Sequence, residues 1–321
     1  TELEPVVNLG RQPWCNGFLR QEEFAQERFY PLQLVYCHRC STTQLDYTVP
    51  KEVMFSDHTY LSGITTSLSN HFLTVANDVD QHFFRNTPGK SVMDIGSNDG
   101  TLLEGFKEKG IRVLGIEPTD TARVANRNGI PTIQSFFNLK TARTIVTKYG
   151  KAKLVSATNV FAHIINMPGL IAGIKTVLDK NGVFVSESQY LMDIIEKLEF
   201  DTVYHEHLRF YGLKPLVYLF AKAGMSIVDA ERITAAGGSI RVYAMKGKHT
   251  QSAHVKELMK KEEEAGLYSV NKLNAFAKAA VEAKHELLQV LIRCKQEGAR
   301  IVGITSSCRS KAGMGGSKNG F

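Results

Sequence analysis

Residues 91–106 read SVMDIGSNDGTLLEGF, and this stretch determines the fold. A short run of strand character, SVMDI, leads directly into a loop with Gly96 and Gly100, and a helical pattern begins at Thr101. Glycines let the backbone approach a ligand closely, and the start of a helix offers N–H groups. The stretch therefore predicts a strand, a ligand-binding loop and a helix, which together open a doubly wound α/β sheet.

The region from residue 90 to 190 alternates short β-rich runs with helical runs, which is typical of parallel βαβ units. The predicted strands are SVMDI, IRVLGI, PTI, KLVSAT and GVFVSE. The predicted helices are TLLEGFKEK, DTARVANRN, LKTARTIVTKY and GLIAGIKTVLDK, the last of them closed by a turn at Asn181-Gly182. A helix, LKPLVYLFAKAG, and two further strands, MSIVDAERI and SIRVYAMKG, complete a sheet of the methyltransferase type.

The chain divides into three predicted regions. Residues 1–70 form a small, loop-rich lobe, and residues 71–248 form the main α/β domain, which opens with a helix capped at Ser69 or Asn70. Residues 249–321 contain one or two long helices, a strand, ARIVGIT, and a Gly- and Ser-rich tail. Either this strand docks on the main sheet, or the region is the start of an incomplete C-terminal α/β domain and the chain is a fragment of a longer protein.

Composition excludes several classes of protein. With 321 residues, 43% hydrophobic and 22% charged, the chain is globular and long enough for about two domains. It has neither a membrane-spanning run nor a signal peptide, so we expect a soluble, cytoplasmic protein. The net charge of +7 favours an anionic ligand. The basic residues are dispersed among acids, so nucleic acid is the less favoured partner.

The glycine loop suits S-adenosylmethionine better than a dinucleotide. A dinucleotide site expects G-x-G-x-x-G, but residue 98 is asparagine and no third glycine follows at the required spacing. S-adenosylmethionine has no pyrophosphate, and Glu117 at the tip of the next strand can accept hydrogen bonds from two ribose hydroxyls. A nicotinamide cofactor and a purely structural turn remain alternatives. The candidate cofactor-binding residues are Asp94, Gly96, Ser97, Asn98, Gly100, Glu117 and Asn159.

Several runs resemble the sugar C-methyltransferases that act on nucleotide-linked deoxyketosugars, such as the dTDP-sugar 3-C-methyltransferases. These runs are SVMDIGSNDGTLLEGF, VLGIEPT, ATNVFAHI, ESQYLMDIIEKLEFDTVYHEHLRFYGLKPL and GGSIRVYAMKG. The most specific are Asn159 to His163 and Tyr204 to His207. The resemblance implies a Rossmann-like class I methyltransferase with a zinc-ribbon-like N-terminal lobe. It also implies methyl transfer to the carbon next to the keto group, through an enolate, in deoxysugar biosynthesis.

Methyl transfer to such a carbon requires a base and a group that stabilises the enolate oxygen. The resemblance implies that His207 is the general base, with Tyr204 and Glu206 positioning it or the sugar. A metal pair formed by His205 and His207, on one side of an extended segment, is the alternative. Tyr204 can also be a buried phenol without a chemical role.

The resemblance assigns further residues to the keto group. His163 and Asn159 follow the fourth predicted strand, at the edge where such sheets bind ligands. Tyr60 matches a tyrosine that reaches the site from the small lobe. A structural role for His163 stays open, because a histidine near an apolar run is more often structural than catalytic.

A zinc site is incomplete in this sequence. The resemblance implies two Cys-x-x-Cys pairs, of which Cys37 and Cys40 match the second, and the first would lie upstream of Thr1. A structural zinc ion takes four ligands, so Cys15 or a histidine would have to substitute. Without them, Cys37 and Cys40 are an ordinary thiol pair.

Two other functions remain open from the sequence. One is methylation of oxygen or nitrogen in another small molecule, with the same cofactor and no enolate. The other is a non-catalytic protein that binds nucleic acid or a partner. The sequence does not indicate the sugar, the nucleotide, the methylated position or the oligomeric state.

Overall fold

The structure, a computed structural model, describes residues 3–15, 19–50, 61–84 and 89–302. The strands in these ranges are β1 (Leu3–Pro13), β2 (Phe29–Cys37), β3 (Thr42–Leu45), β4 (Ser91–Ile95), β5 (Arg112–Glu117), β6 (Thr132–Gln134), β7 (Ala152–Thr158), β8 (Leu178–Gln189), β9 (Arg209–Phe210), β10 (Met225–Ile233) and β11 (Ser239–Lys246).

The α-helices in the same ranges are α1 (Thr66–Val79), α2 (Thr101–Lys107), α3 (Thr121–Arg127), α4 (Leu139–Tyr149), α5 (Met167–Val177), α6 (Leu191–Glu196), α7 (Leu213–Lys222), α8 (Ala253–Glu264) and α9 (Val270–Gln296). Short 3₁₀ helices span Gln21–Gln26, Ser62–Ile64, Phe161–His163, Phe200–Thr202 and Ala235–Gly237, and a π-helical turn spans Asp80–Phe84. None of the helices in the described ranges is long and apolar enough to cross a bilayer.

The chain forms two compact units. The first unit combines Thr1–Met54, Tyr190–Gly212 and Lys261–Phe321, and the second combines Phe55–Gln189 and Leu213–Lys260. The chain therefore leaves the second unit after β8 and returns to it at α7. The three regions expected from the sequence, with boundaries at residues 70 and 248, remain a prediction.

The second unit is built on a seven-stranded sheet with the order β10-β11-β8-β7-β4-β5-β6. The five strands from β8 to β6 run parallel, whereas β11 is antiparallel to both β8 and β10. Strand β4 is buried at all five positions, as expected for a parallel strand covered on both faces. The prediction of a doubly wound methyltransferase-type sheet is confirmed.

Helices α1 and α2 cover one face of this sheet. Their apolar residues join strand residues in a single core cluster that includes Phe72, Val75, Leu103, Phe106, Val92, Leu154 and Val185. Gly105 allows α2 to approach α1, because a Cβ there would lie 3.0 Å from the Cβ of Ala76. Because side chains alternate along a strand, Asp94 lies on the same face as Val92, and Glu187 and Gln189 lie on the same face as Val185.

The first unit contains a four-stranded antiparallel sheet with the order β1-β2-β3-β9. Strand β9 comes from the insertion at residues 190–212 and pairs with β3 through Thr43 and Phe210. Helix α9 packs against β1. The insertion thereby places the segment that precedes β9 beside strands from the start of the chain.

The structure corrects three predicted elements. Helix α5 ends at Val177 rather than Lys180, and Asn181-Gly182 lies inside β8, where a bulge follows the pairing of buried Leu178 with Ala152. Helix α1 begins at Thr66, three residues before the predicted cap, and no side chain caps it. Of the predicted strand ARIVGIT, residues 299–302 have no regular structure, and the remainder lies outside the described residues.

Candidate functional site

The loop between β4 and α2 depends on glycine at two positions. Gly96 has φ +72°, and a Cβ there would lie 2.6 Å from Cγ2 of Val160. Gly100 has φ +87°, and a Cβ there would lie 3.0 Å from Ile130. Asn98, between them, also has a positive φ of 50°. The loop is therefore held in a left-handed, closely packed path that other side chains would strain.

Every backbone N–H from Gly96 to Thr101 donates a hydrogen bond within the protein. The acceptors are Ile116 O for Gly96 and Ser97, Glu117 Oε2 for Asn98, Asn98 Oδ1 for Asp99, Ser97 O for Gly100 and Asp99 Oδ1 for Thr101. Nearby carboxylates and carbonyls therefore occupy the N–H groups of the loop. The N–H groups of Leu102 and Leu103 lie beyond it, in the first turn of α2, so the expectation that the helix start offers N–H groups to a ligand stays a prediction.

Glu117 is buried at the end of β5 and accepts a hydrogen bond from the loop between β4 and α2. Its Oε2 accepts from Asn98 N at 3.0 Å, and its Oε1 accepts from Thr119 N at 2.8 Å and Thr119 Oγ1 at 2.7 Å. Three protein donors occupy three of the roughly four acceptor positions of a carboxylate. A ribose diol would therefore share this carboxylate with the protein donors.

Asp94 lies at the end of β4 and is 2% exposed. Burial raises its pKa to about 7, and the charges of Glu117 and Glu187 add to the rise against the hydrogen bond from Ser156. The Ser156 hydroxyl donates to Asp94 Oδ1 at 2.7 Å. At neutral pH this carboxyl group is thus close to half-protonated and would respond to a cation placed beside it.

Residues 62–63 are hydrogen-bonded to the loop between β4 and α2. The sequence did not predict this contact. Ser62 N donates to Asn98 Oδ1 at 3.1 Å, and Gly63 N donates to Asp99 Oδ2 at 2.8 Å. The Asn98 side chain is therefore used to hold the loop. Tyr60, the tyrosine expected from the small lobe, lies outside the described residues.

Ser97 turns its hydroxyl toward strand β5. The oxygen is buried without a hydrogen-bond partner in the described chain, and an added Cβ at Gly115 would lie only 2.4 Å from it. The hydroxyl thus packs against the β5 backbone. A role for Ser97 at the cofactor would have to involve its main chain.

Asn159 and His163 follow the carboxyl end of β7. Asn159 has a positive φ of 56°, is exposed, and donates its backbone N–H to Glu187 O at 2.9 Å. His163 is half-buried and ends the 3₁₀ helix Phe161–His163. Asn159 and His163 belong to the second unit, as does the glycine loop between β4 and α2.

A buried ion cluster lies on β8 and β11. Glu187 Oε2 is 2.7 Å from His71 Nε2, and Glu187 Oε1 accepts from Arg241 Nε at 2.5 Å. Burial raises the pKa of Glu187, but the His71 hydrogen bond and the Arg241 charge outweigh it and hold the pKa below its usual value. The sequence did not predict this cluster, although Glu187, which closely follows the apolar run Val183–Val185, was a signal.

In the first unit, Tyr204 and His207 form a pair. Residues 204–207 form a turn in which His207 N donates to Tyr204 O at 3.0 Å, so the expected extended segment is wrong. The turn brings Tyr204 Oη to 2.9 Å from His207 Nε2, with ring centroids 4.3 Å apart. His207 is buried, and Phe210 packs edge-on against its ring.

His205 and Glu206, which lie between Tyr204 and His207 in the chain, have different surroundings. His205 packs near the rings of Trp14 and Tyr30, and its Nε2–H donates to Tyr30 O at 3.3 Å. Burial lowers the pKa of His205, although the carbonyls of Tyr30 and Pro31 raise it. Glu206 is buried, and its Oε1 accepts from Cys15 Sγ at 3.8 Å. In the described ranges no three His, Cys, Asp or Glu residues form a metal site, so a His205–His207 metal pair lacks further ligands.

Cys37 and Cys40 lie at the end of β2 and just after it. Burial raises the pKa of Cys37, but hydrogen bonds from Cys40 and from the Arg39 backbone outweigh it and lower the pKa. A thiolate suits metal binding. However, the described chain supplies no third ligand beside them, and Cys15 lies against Glu206 instead. The residues that the structure describes therefore do not by themselves form a complete structural zinc site.

The parallel sheet with its antiparallel final pair, and the glycine loop that joins β4 to α2, are features of the Rossmann-like, S-adenosylmethionine-dependent methyltransferases. A family model described as "Methyltransferase domain" matches residues 69–230, about half of the chain. Models described as "Putative zinc binding domain" and "C-methyltransferase C-terminal domain" match residues 1–55 and 234–314. The chain belongs to this methyltransferase family.

Individual relatives were also found. C-methyltransferase NovU from Streptomyces niveus is 29% identical over 311 residues, which are 96% of this chain and 74% of that protein. A ubiquinone biosynthesis O-methyltransferase from Burkholderia thailandensis is 25% identical over 49% of this chain and 73% of that protein. A crystal structure of magnesium protoporphyrin IX methyltransferase (ChlM) from Synechocystis PCC 6803 covers 56% of this chain and 79% of its own, with 13% identity and a TM-score of 0.41.

Proposed function

We propose that this protein methylates the carbon next to the keto group of a nucleotide-linked deoxyketosugar, such as a dTDP-linked one, through an enolate. The observation that carries the proposal is the Tyr204–His207 pair, with its 2.9 Å contact between Oη and Nε2. A carbon acceptor must lose a proton before it can attack a methyl group, so the chain needs a positioned base. The likeness to a C-methyltransferase over 96% of the chain supports the same reaction.

The cofactor-binding residues belong to the second unit. Bound S-adenosylmethionine supplies an electrophilic methyl group on a sulfonium sulfur. Glu117 and the Gly96–Gly100 backbone would hold the nucleoside, with Asn159 beside them at the end of β7. Asp94, which is half-protonated near pH 7, would face the cationic part and become fully ionised there.

His207 is the proposed base, and its contact with Tyr204 allows two routes for the proton. If Nε2–H donates to the phenol oxygen, Nδ1 is the basic atom and takes the proton from the sugar carbon. If the phenol donates to Nε2, the sugar proton passes to the Tyr204 oxygen as the phenol proton passes to Nε2. In both routes the pair gains one proton and the sugar becomes an enolate. A positioned base contributes about 10²- to 10⁴-fold.

The remaining proposed roles concern the sugar. Asn159 and His163 would hydrogen-bond the keto oxygen as it becomes an enolate oxygen, and Tyr60 would approach the sugar as well. Glu206 would position His207 or a sugar hydroxyl. The enolate carbon then forms a bond to the methyl carbon, the methyl–sulfur bond breaks with its electron pair on sulfur, and the ketone is restored. The excess of basic residues would attract the negatively charged diphosphate of the nucleotide-linked sugar.

The test uses a dTDP-4-ketosugar in deuterated water, with and without S-adenosylmethionine. We expect deuterium to enter the carbon next to the ketone, and the product to gain one methyl group on carbon. His207→Ala should lose both signals by about 10²-fold or more, whereas His285→Ala, at an exposed position on α9, should keep them. Methylation on oxygen or nitrogen that survives His207→Ala would support the alternative reaction and contradict this proposal.

A further inference from the structure

Gln189, the last residue of β8, carries a buried amide that no described residue pairs with. The side chain is 8% exposed, and neither Nε2 nor Oε1 has a hydrogen-bond partner in the described chain. Buried polar groups are nearly always paired, since an unpaired one retains its full desolvation penalty. An amide in this state is a candidate for a hydrogen bond to a ligand.

The position of Gln189 points to the ligand-binding edge of the sheet. Thr158, the last residue of β7, pairs with Glu187, so Gln189 extends two residues beyond the end of that neighbouring strand. It shares a face with Glu187, because side chains alternate along a strand. Ligands bind at the carboxyl ends of the strands in open α/β sheets.

Several polar side chains of the same sheet have partners in the described chain, whereas the hydroxyl of Ser188, which alternation turns to the opposite face, has none. Glu187 pairs with His71 and Arg241, and Asp94 pairs with Ser156. Ser239, which lies opposite Gln189 on β11, donates its hydroxyl to Ala235 O at 2.9 Å. Glu187, Asp94 and Ser239 thus have partners in the described chain, whereas the Gln189 amide has none there.

We propose that the Gln189 amide binds the acceptor sugar, an inference that rests on the proposed function. Its NH₂ group would donate to the keto oxygen, and its carbonyl would accept from a neighbouring hydroxyl. A neutral amide matches a hydroxyketone better than it matches the charged amino-acid part of the cofactor. Strand β8 is also separated from β4 by β7, a distance of about 10 Å, so Gln189 lies to one side of the cofactor loop.

The test replaces Gln189 by Met, which keeps the length of the side chain and removes the amide. We expect Gln189→Met to raise the melting temperature of the unliganded protein by about 2–4 °C, because an unsatisfied group is lost. We expect the KM and the calorimetric Kd for the dTDP-ketosugar to rise about 5- to 10-fold. The affinity for S-adenosylhomocysteine should not change.

The matched control is Thr43→Val on β3, which removes a different buried polar group, a hydroxyl without a partner in the described chain. It should raise the melting temperature and leave the KM unchanged. A lower melting temperature for Gln189→Met, an unchanged sugar affinity, or a weakened S-adenosylhomocysteine affinity would each overturn the inference. If the wild-type protein neither binds nor methylates the ketosugar, the proposed function itself fails, and the role of Gln189 in sugar binding falls with it.

Discussion

The hydroxyl oxygen of Tyr204 lies 2.9 Å from Nε2 of His207. The two residues are three positions apart, and the turn that joins them closes with a backbone hydrogen bond from His207 N to Tyr204 O. The turn therefore brings the backbones of the two residues close together, and Phe210 packs against the His207 ring. The phenol and the imidazole can therefore exchange a proton without rearrangement.

Replacing Tyr204 by Phe distinguishes the two proton routes. If Nδ1 of His207 is the basic atom, Tyr204→Phe removes one orienting hydrogen bond, and deuterium exchange should fall only about 5- to 10-fold. If the phenol takes the sugar proton, exchange should fall as far as in His207→Ala. Exchange rates for the two variants, measured across pH, would decide between the routes. An exchange rate equal to that of the wild type would show that the contact has no part in proton transfer.

Binding of S-adenosylmethionine should release protons near neutral pH. Burial raises the pKa of Asp94 to about 7, and a cation beside the carboxylate lowers it again. Because the unliganded carboxyl group holds a proton that the complex does not, affinity should increase as pH rises from about 6 toward 8. Calorimetry in buffers of different ionisation enthalpy measures the release. Asp94→Asn should abolish it, and proton uptake by the wild type would contradict the assignment.

Arg241→Met should destabilise the protein strongly. The substitution leaves the buried Glu187 carboxylate with its His71 hydrogen bond but without the Arg241 charge, and breaking a buried ion pair typically costs about 3–5 kcal/mol. Urea unfolding measures this loss. Arg123→Met, which breaks an exposed pair with Asp120, should cost less than about 1 kcal/mol.

The same cluster gives a pH dependence of stability. The pKa of Glu187 is lower in the folded protein than in the unfolded chain. Its contribution to the free energy of unfolding is therefore complete above its pKa in the unfolded chain, and is lost as the pH falls through its pKa in the folded protein. Unfolding curves at falling acidic pH should therefore converge for the wild type and Arg241→Met. Curves that stay parallel down to low pH would contradict a charged Glu187.

Gly96→Ala should weaken cofactor binding for two reasons, because the substitution adds a steric clash with Val160 to the backbone strain. Gly96 and Gly110 both have φ +72°, but a Cβ at Gly96 would lie 2.6 Å from Val160, whereas nothing lies within 4 Å of a Cβ at Gly110. Gly110→Ala therefore measures the strain alone, about 1–2 kcal/mol. Titration with S-adenosylhomocysteine should show weaker binding only for Gly96→Ala. Equal binding by the two variants would show that the contact with Val160 is unimportant.

Periodicity and turn residues predicted the sheet. The strand–glycine–helix order around Gly96 and the pair of final strands appear as expected, because each follows from a local pattern of about ten residues. Asn181-Gly182 misled the prediction, since pairing of Leu178 with Ala152 outweighs the turn preference of those two residues.

The candidate site was less predictable than the sheet. The sequence indicated Glu117 at a strand tip, but not that Asn98 N and Thr119 would occupy its oxygens. Likewise, nothing local indicated that Ser62 N would donate to Asn98 Oδ1, because the two residues lie 36 positions apart. Such contacts depend on tertiary packing, which a sequence pattern of short range does not encode.

The insertion that carries β9 has a consequence during synthesis. Strands β1, β2 and β3 emerge early, but β9, which covers the outer edge of β3, is made about 160 residues later. Until then β3 exposes unpaired backbone groups that can recruit strands from other chains. A ribosome-bound or truncated chain that stops before residue 209 should therefore aggregate more readily than the full chain.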